Sequence, residues 1–371
     1  MVGSVPVANV AEPEVLPRLL GSRYRLEATI GQGGMGAVYR STDLTTNRPV
    51  AVKLLRPPVG LALEDDVAGR FWREAKNTAR LQHGNIIEVF DLGRTDGGDL
   101  YFVMELLEGE SLAERLRREG KLQPALAVHI GRQICGALEV AHAAGMIHRD
   151  LKPANIMLLV RDGNEAFVKV LDFGVAKSFG PERHDETQLT HTGMLIGTVD
   201  YMAPEQIMGR AVDGRTDVYS LGVMLYRMLA GKPPFAEGGV PNLIHAHVSV
   251  LPKPLDEVVA GIPNALGHVV LRCLAKQPDR RYESMAELGR ALAHALGPES
   301  ATRVGGAAHE PDDFDERDAT AVGRSVRDPR LLTPDQDATI TGGTHGGETV
   351  MMGRPFGVPS VPAGRRTAGP S

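Results

Sequence analysis

His148-Arg149-Asp150-Leu151-Lys152-Pro153-Ala154-Asn155, followed by Asp172-Phe173-Gly174, brings together a carboxylate base, a lysine suited to phosphate charge and two hard-oxygen metal ligands. These residue types fit phosphoryl transfer, whose loose, charge-spread transition state asks a protein mainly to position groups and neutralise charge. Asp150 is placed to orient an attacking hydroxyl and accept its proton. Asn155 and Asp172 suit magnesium, which takes a few carboxylate or carbonyl ligands together with substrate phosphates.

A second group precedes this run. Gly31-Gln32-Gly33-Gly34-Met35-Gly36-Ala37-Val38 lies between two strand patterns, so its glycines can bring a hairpin tip and its N–H groups close to phosphate oxygens. The same wording opens dinucleotide-binding units, but there a helix must follow, whereas residues 37–43 read as a strand. In Val50-Ala51-Val52-Lys53 the period of two puts Ala51 and Lys53 on one face, a small residue and an ammonium beside the glycine hairpin.

The elements that must carry these groups follow from hydrophobic period. Strand patterns cover residues 24–30, 37–43, 50–55, 87–93 and 100–105, interrupted by one helical pattern at 71–81. Helical patterns dominate from Ser111, at 124–144, 217–230, 265–274 and 285–296. Residues 1–23 read as a flexible leader. After Leu296 the chain turns rich in Gly, Pro, Thr and Asp without a sustained period, and residues 297–371 read as a disordered tail. The expected class is α+β in two lobes: a small β-rich lobe with one main helix (about 24–105) and a larger helical lobe (about 109–296).

Charge and composition narrow the partners. A net charge of -5 gives no reason to expect nucleic acid. The best apolar stretch, residues 219–230, is shorter than the ~20 residues of a bilayer helix and contains Arg227, and the first residues lack a signal-peptide pattern, so no membrane span and a cytoplasmic location are expected. Cys135 and Cys273 fall in apolar helical patterns and read as reduced, buried thiols.

The ordered motifs over residues 24–296 resemble those of eukaryotic-type protein kinases, in particular the bacterial Hanks-type serine/threonine group. The resemblance implies ATP as cosubstrate, with magnesium, or manganese in its place, held by Asn155 and Asp172. It makes Ile30, Gly31, Gly33, Gly34, Gly36, Val38, Ala51, Lys53, Glu74, Met104, Glu105 and Leu107 the nucleotide site: Val38 over the purine, Lys53 on the α- and β-phosphates with Glu74 as its holder, Met104 at the back pocket, and the backbone of Glu105 and Leu107 on adenine. Thr78, one turn after Glu74, stands where the family commonly buries an apolar or small side chain, which implies a weakly seated helix. Lys152 and Thr198 imply a serine or threonine acceptor. Glu205 is paired by resemblance with Arg281, and Asp217 with the backbone of the catalytic loop.

Arg149, beside the base, calls for an anion from the segment running from Asp172 to Glu205, and the bacterial members place threonines where this chain has Thr190 and Thr192, the expected autophosphorylation sites. In the tail, Thr320, Thr339 and Thr349 each follow or neighbour an acid and precede aliphatic residues; phosphorylated, they would suit a forkhead-associated reader. Protein substrates and a homodimer for trans-autophosphorylation complete the expected partners. Two rivals are a pseudokinase-like scaffold, disfavoured by the joint presence of Lys53, Glu74, Asp150, Asn155 and Asp172, and a small-molecule phosphotransferase, which usually lacks the glycine-loop wording and Ala203-Pro204-Glu205.

Overall fold

Period-two segments pair into an antiparallel six-stranded sheet built from β1 (Arg18–Leu20), β2 (Tyr24–Gly33), β3 (Gly36–Asp43), β4 (Arg48–Leu55), β5 (Val89–Arg94) and β6 (Leu100–Glu105), in the order β1-β2-β3-β4-β6-β5. The computed structural model describes residues 16–33, 36–55, 76, 78–95, 97–173, 199–235 and 238–296. Leu20, Tyr24, Leu26, Tyr39, Val50, Val52, Leu54 and Val103 form the core of this lobe. The alternation that buries them sends every second side chain to one face.

The sheet starts earlier than the sequence pattern placed it. Residues 18–20, assigned to the leader, pair with β2 through Arg18↔Leu26 and Leu20↔Tyr24, and Leu20 is buried. Three residues are too few to register a period, so their apolar character carried no strand signal. β2 also runs on through the glycines to Gly33, which pairs with Gly36. Glycine has no side chain to alternate, yet its backbone still joins the ladder.

The larger lobe contains β7 (Gly109–Ser111), α1 (Leu112–Glu119), α2 (Pro124–Ala143), β8 (Ile156–Arg161), β9 (Asn164–Val170), α3 (Pro204–Ile207), α4 (Gly214–Ala230), α5 (Gly239–Ser249), α6 (Leu255–Val258), α7 (Asn264–Cys273) and α8 (Met285–His294). Its three-stranded sheet, β7-β8-β9, falls in a lobe where helical patterns dominate the sequence and no strand was expected. Ile156–Arg161 is an apolar run too short for periodicity to separate strand from buried helix. The deciding signal was Asp162-Gly163, both at positive φ (50° and 77°), the pairing that closes a tight hairpin.

Ser111 caps α1 reciprocally with Glu114: the Glu114 N–H donates to Ser111 Oγ, and the Ser111 N–H donates to Glu114. α4 is apolar on nearly every face, and so it lies in the lobe's centre with α2 beside it; Asp213 caps its start and Gly231, at φ 78°, its end. Cys135 and Cys273 are free and buried, and burial pushes both thiols up. Among the described residues no helix is long and apolar enough to cross a membrane. Of the helix expected at 71–81, Lys76 and residues 78–80 are helical and Thr78 is buried; Glu74 lies outside the described residues.

Candidate active site

The loop between α2 and β8 carries His148 to Asn155, and its shape is set from below by Asp217 in the first turn of α4. Asp217 is fully buried. Its Oδ2 accepts the N–H of His148 at 2.8 Å and its Oδ1 that of Arg149 at 2.9 Å, while His142 Nε2 lies 2.7 Å from Oδ2. Burial alone would raise this carboxyl; the His142 hydrogen bond, the nearby histidines and the His148 N–H override it and hold the group below its ordinary range.

Arg149 adopts φ 63°, a left-handed conformation that costs on the order of 1–3 kcal/mol in a non-glycine residue and persists only where its surroundings over-determine it. Here they do. Asp217 takes the Arg149 N–H, and Gln206 Nε2 donates to the Arg149 carbonyl at 2.8 Å. Gln206 is itself set by accepting the Ala203 N–H at 3.1 Å.

The clamped backbone presents Asp150. Its Oδ2 is 2.8 Å from Lys152 Nζ and 3.3 Å from Asn155 Nδ2, and that amide nitrogen also donates to the Asp150 carbonyl at 2.9 Å. His148 Nε2 lies 2.8 Å from the Leu171 carbonyl and the Leu171 N–H donates to Asn155 O at 2.9 Å, so the segment entering Asp172 is stitched to this loop. Phe173 is buried against the His148 ring, with centroids 4.9 Å apart.

Asp172 also sits at positive φ, 53°. Both of its carboxylate oxygens accept Lys53 Nζ at 2.6 Å. Burial works to raise Asp172 and the Lys53 ammonium outweighs it, leaving the carboxyl below its ordinary range. Lys53, assigned on sequence to Glu74, therefore holds Asp172 among the described residues.

On the small lobe, Gly31 pairs with Val38, and Val38 with Lys53 on the next strand. Gly36 has φ 140°, and a Cβ there would lie 1.9 Å from the Leu54 carbonyl oxygen, so the close approach of β3 to β4 admits only glycine. Gly34 lies outside the described residues, and Ile30 is half-exposed at the hairpin. Ala51 is buried and pairs with Met104 across β4 and β6. The Glu105 N–H donates to Glu88 O at 3.0 Å.

Glu205 and Arg281 form a buried two-pronged pair, Nη1 to Oε1 at 2.7 Å and Nη2 to Oε2 at 2.8 Å, with Thr216 Oγ1 donating to Oε1 at 2.8 Å. Arg281 also donates to the carbonyls of Ala275, Lys276 and Arg215. Thr190, Thr192 and Thr198 lie outside the described residues. Sequence reasoning missed two supports of this loop, His142 and Gln206. Neither carries a local signal, because His142 occupies an ordinary helix position and Gln206 a single helical turn; what recruits them is tertiary packing.

No cluster of three or more His, Cys, Asp or Glu side chains converges among the described residues.

The "Protein kinase domain" model matches residues 24–293. The chain is 42% identical over 291 residues to serine/threonine-protein kinase Pkn1 of Myxococcus xanthus, covering 78% of this chain and 40% of that protein. It is 41% identical over 293 residues to PknB of Mycobacterium leprae, covering 78% and 46%. The chain spans about half the length of the curated relatives it matches. The crystal structure of the Mycobacterium tuberculosis PknI kinase domain superposes with a TM-score of 0.59 at 27% identity, over 76% of this chain and 99% of that one. With its antiparallel small-lobe sheet and helical larger lobe, the chain belongs to the protein kinase domain family.

Proposed function

We propose that the protein is an ATP-dependent serine/threonine protein kinase that transfers the γ-phosphoryl group to protein hydroxyls. The observation that carries this reading is the joint placement of Asp150, Lys152 and Asn155 on one clamped loop tied through Leu171 to Asp172 and Lys53. In the proposed reaction Asp150 accepts the proton of a serine or threonine hydroxyl as the hydroxyl oxygen bonds to the γ-phosphorus and the bond to the β,γ-bridging oxygen breaks. Lys152, 2.8 Å from Asp150, offsets charge beside the attacking oxygen. Lys53 turns to the α- and β-phosphates, the β2–β3 glycines cover them, and Ala51, Val38, Met104 and Leu107 frame the base.

Asn155 and Asp172 would hold the magnesium or manganese ion, which when bound neutralises phosphate charge. The Asn155 amide nitrogen is committed to Asp150, so its amide oxygen is the atom that suits a cation.

Asp217 and Gln206 are the proposed supports of this loop, through their bonds to Arg149, and the Glu205–Arg281 pair is a structural tie of the larger lobe. Thr190 and Thr192 are the proposed autophosphorylation sites, with trans-phosphorylation between two copies; Thr320, Thr339 and Thr349 are proposed docking sites for a phosphothreonine reader. The pseudokinase reading is weakened by the intact Lys53–Asp172 and Asp150–Lys152 pairs. The serine/threonine kinase names of the relatives support a protein acceptor over a small molecule.

One experiment tests the proposal. Wild type and Asp150→Asn are incubated with labelled ATP, magnesium and a generic protein substrate, and the products are mapped. Wild type should label substrate and its own Thr190 and Thr192, and Asp150→Asn should lose about 10²-fold or more in rate. Equal labelling by both proteins rejects Asp150 as base, and a wild type that labels no protein rejects the kinase reading.

A further inference from the structure

Lys169 is an unusual residue for its place. In β9 the period of two turns it to the face opposite Ala166, Val168 and Val170, where a lysine normally meets water, yet it is 5% exposed. Its Nζ donates to Glu105 Oε1 at 2.5 Å and to the Ile86 carbonyl at 3.1 Å. The same Glu105 oxygen accepts the Glu88 N–H at 2.9 Å. A buried ammonium is tolerated only with such partners.

The position of this pair matters more than its burial. Glu105 ends β6, two residues before Leu107, and pairs in register with Val50; Lys53 lies three residues further along β4. Lys169 lies three residues before Asp172. Two ion pairs of reversed polarity thus join the same two segments: Lys53 of the small lobe to Asp172, and Glu105 of the small lobe to Lys169. The backbone bonds of β9 to this region, Ile87 N–H to Val170 O and Val170 N–H to Asn85 O, reach residues 85–87 but not β6. Among these described contacts, Lys169 is what ties β9 to β6 itself.

Resting on the kinase reading above, we propose that Lys169 is a positioning residue whose pair with Glu105 fixes the distance between the base-binding strand end and the metal-binding aspartate, so that nucleotide and metal bind cooperatively. The reason is geometric. When nucleotide and ion engage Lys53 and Asp172, the Lys53–Asp172 contact is exchanged for ligand contacts, and Glu105–Lys169 is the ion pair that still joins the two segments. A nucleotide held at Leu107 by its base then meets Asp172 at a set separation. Without the pair, each end orders separately and the ion adds less to nucleotide affinity, a loss of coupling in the usual sense.

The test titrates ADP into the full chain with and without magnesium, for wild type, Lys169→Met, Glu105→Gln and the double variant. The readout is the ratio of the two affinities, with thermal unfolding as a check of folding. In wild type magnesium tightens ADP; in each single variant this enhancement should fall by ~5-fold or more, the lower end of typical coupling factors. The double variant should fall no further than the singles, because the two residues act as one unit. An unchanged enhancement in the folded single variants overturns the proposal, as does a double variant whose loss is the product of the two. If Lys169→Met does not fold, Glu105→Gln decides alone, since its amide oxygen can still accept the Glu88 N–H while the charge is gone. A wild type that binds no ADP in either condition overturns the kinase reading and this inference together; binding with an unaltered ratio in the variants overturns the inference only.

Discussion

At the scale of single residues, the site is governed by a few buried acceptors that hold strained backbone. Asp217 carries the N–H groups of His148 and Arg149 and the ring of His142. Asp217→Asn replaces one acceptor oxygen with a donor that must face either the Arg149 N–H or the His148 N–H and His142 ring. Loss of charge-assisted bonds of this kind costs about 3 kcal/mol. A shift of the catalytic loop by even ~1 Å is worth about 10²-fold in rate. The expected result is therefore a lowered thermal midpoint together with a kcat reduced far more than ADP affinity; equal losses in both would mean that Asp217 supports the lobe in general and not the loop. The run proposed to be catalytic stood out in the sequence because Asp150, Lys152, Asn155 and Asp172 differ in kind from their neighbours. Lys169 did not, since a lysine in an alternating strand looks like any solvated one until Glu105, 64 residues away, is folded against it.

At the scale of elements, the five strand patterns of the small lobe appear within three residues of their expected ends, because β-branched and aromatic residues alternate clearly there. β7, β8 and β9 were missed for the opposite reason: short apolar strands inside a helical lobe carry no period that separates them from buried helix. The glycine hairpin shows what period cannot report. Gly36 is required by a carbonyl, not by flexibility, since any Cβ would strike the Leu54 oxygen. Gly36→Ala should push β3 from β4 at the point where the phosphates are proposed to lie, and a misfit of ~1.4 kcal/mol would raise the KM for ATP about tenfold. Steady-state kinetics check it: a KM within twofold of wild type would show that the hairpin tolerates the displacement.

At the scale of the whole molecule, the larger lobe is tied by the Glu205–Arg281 pair. Burial alone would raise the Glu205 carboxyl; the Arg281 hydrogen bonds and charge reverse this and hold it below its ordinary range. A carboxylate depressed in the folded state stabilises the protein above its unfolded value of about 4.3, and that stability is lost as pH falls through the folded value. Glu205→Gln removes the charge, leaves Arg281 buried with a neutral partner, and should cost about 3–5 kcal/mol near pH 7. Because wild type loses this contribution in acid, the gap between the two proteins should narrow from about pH 5 downward. Urea unfolding midpoints across pH 7 to 3 measure it, and a gap that stays constant would assign the stability to packing. The pairing of these two residues was available from motif order, but the participation of Thr216 and of three backbone carbonyls appears only when the helices are assembled.

Lys53 and Asp172 form an ion pair, and on the proposed function this makes ligand entry an exchange of partners in place of a simple addition. A bare polyanion satisfies the lysine but strands the aspartate, and a bare cation does the reverse. Only a ligand that arrives carrying both signs at the right spacing releases the pair without leaving an orphaned charge. On the kinase reading, a nucleotide bound with its metal ion therefore exchanges for this pair at less electrostatic cost than either charge alone.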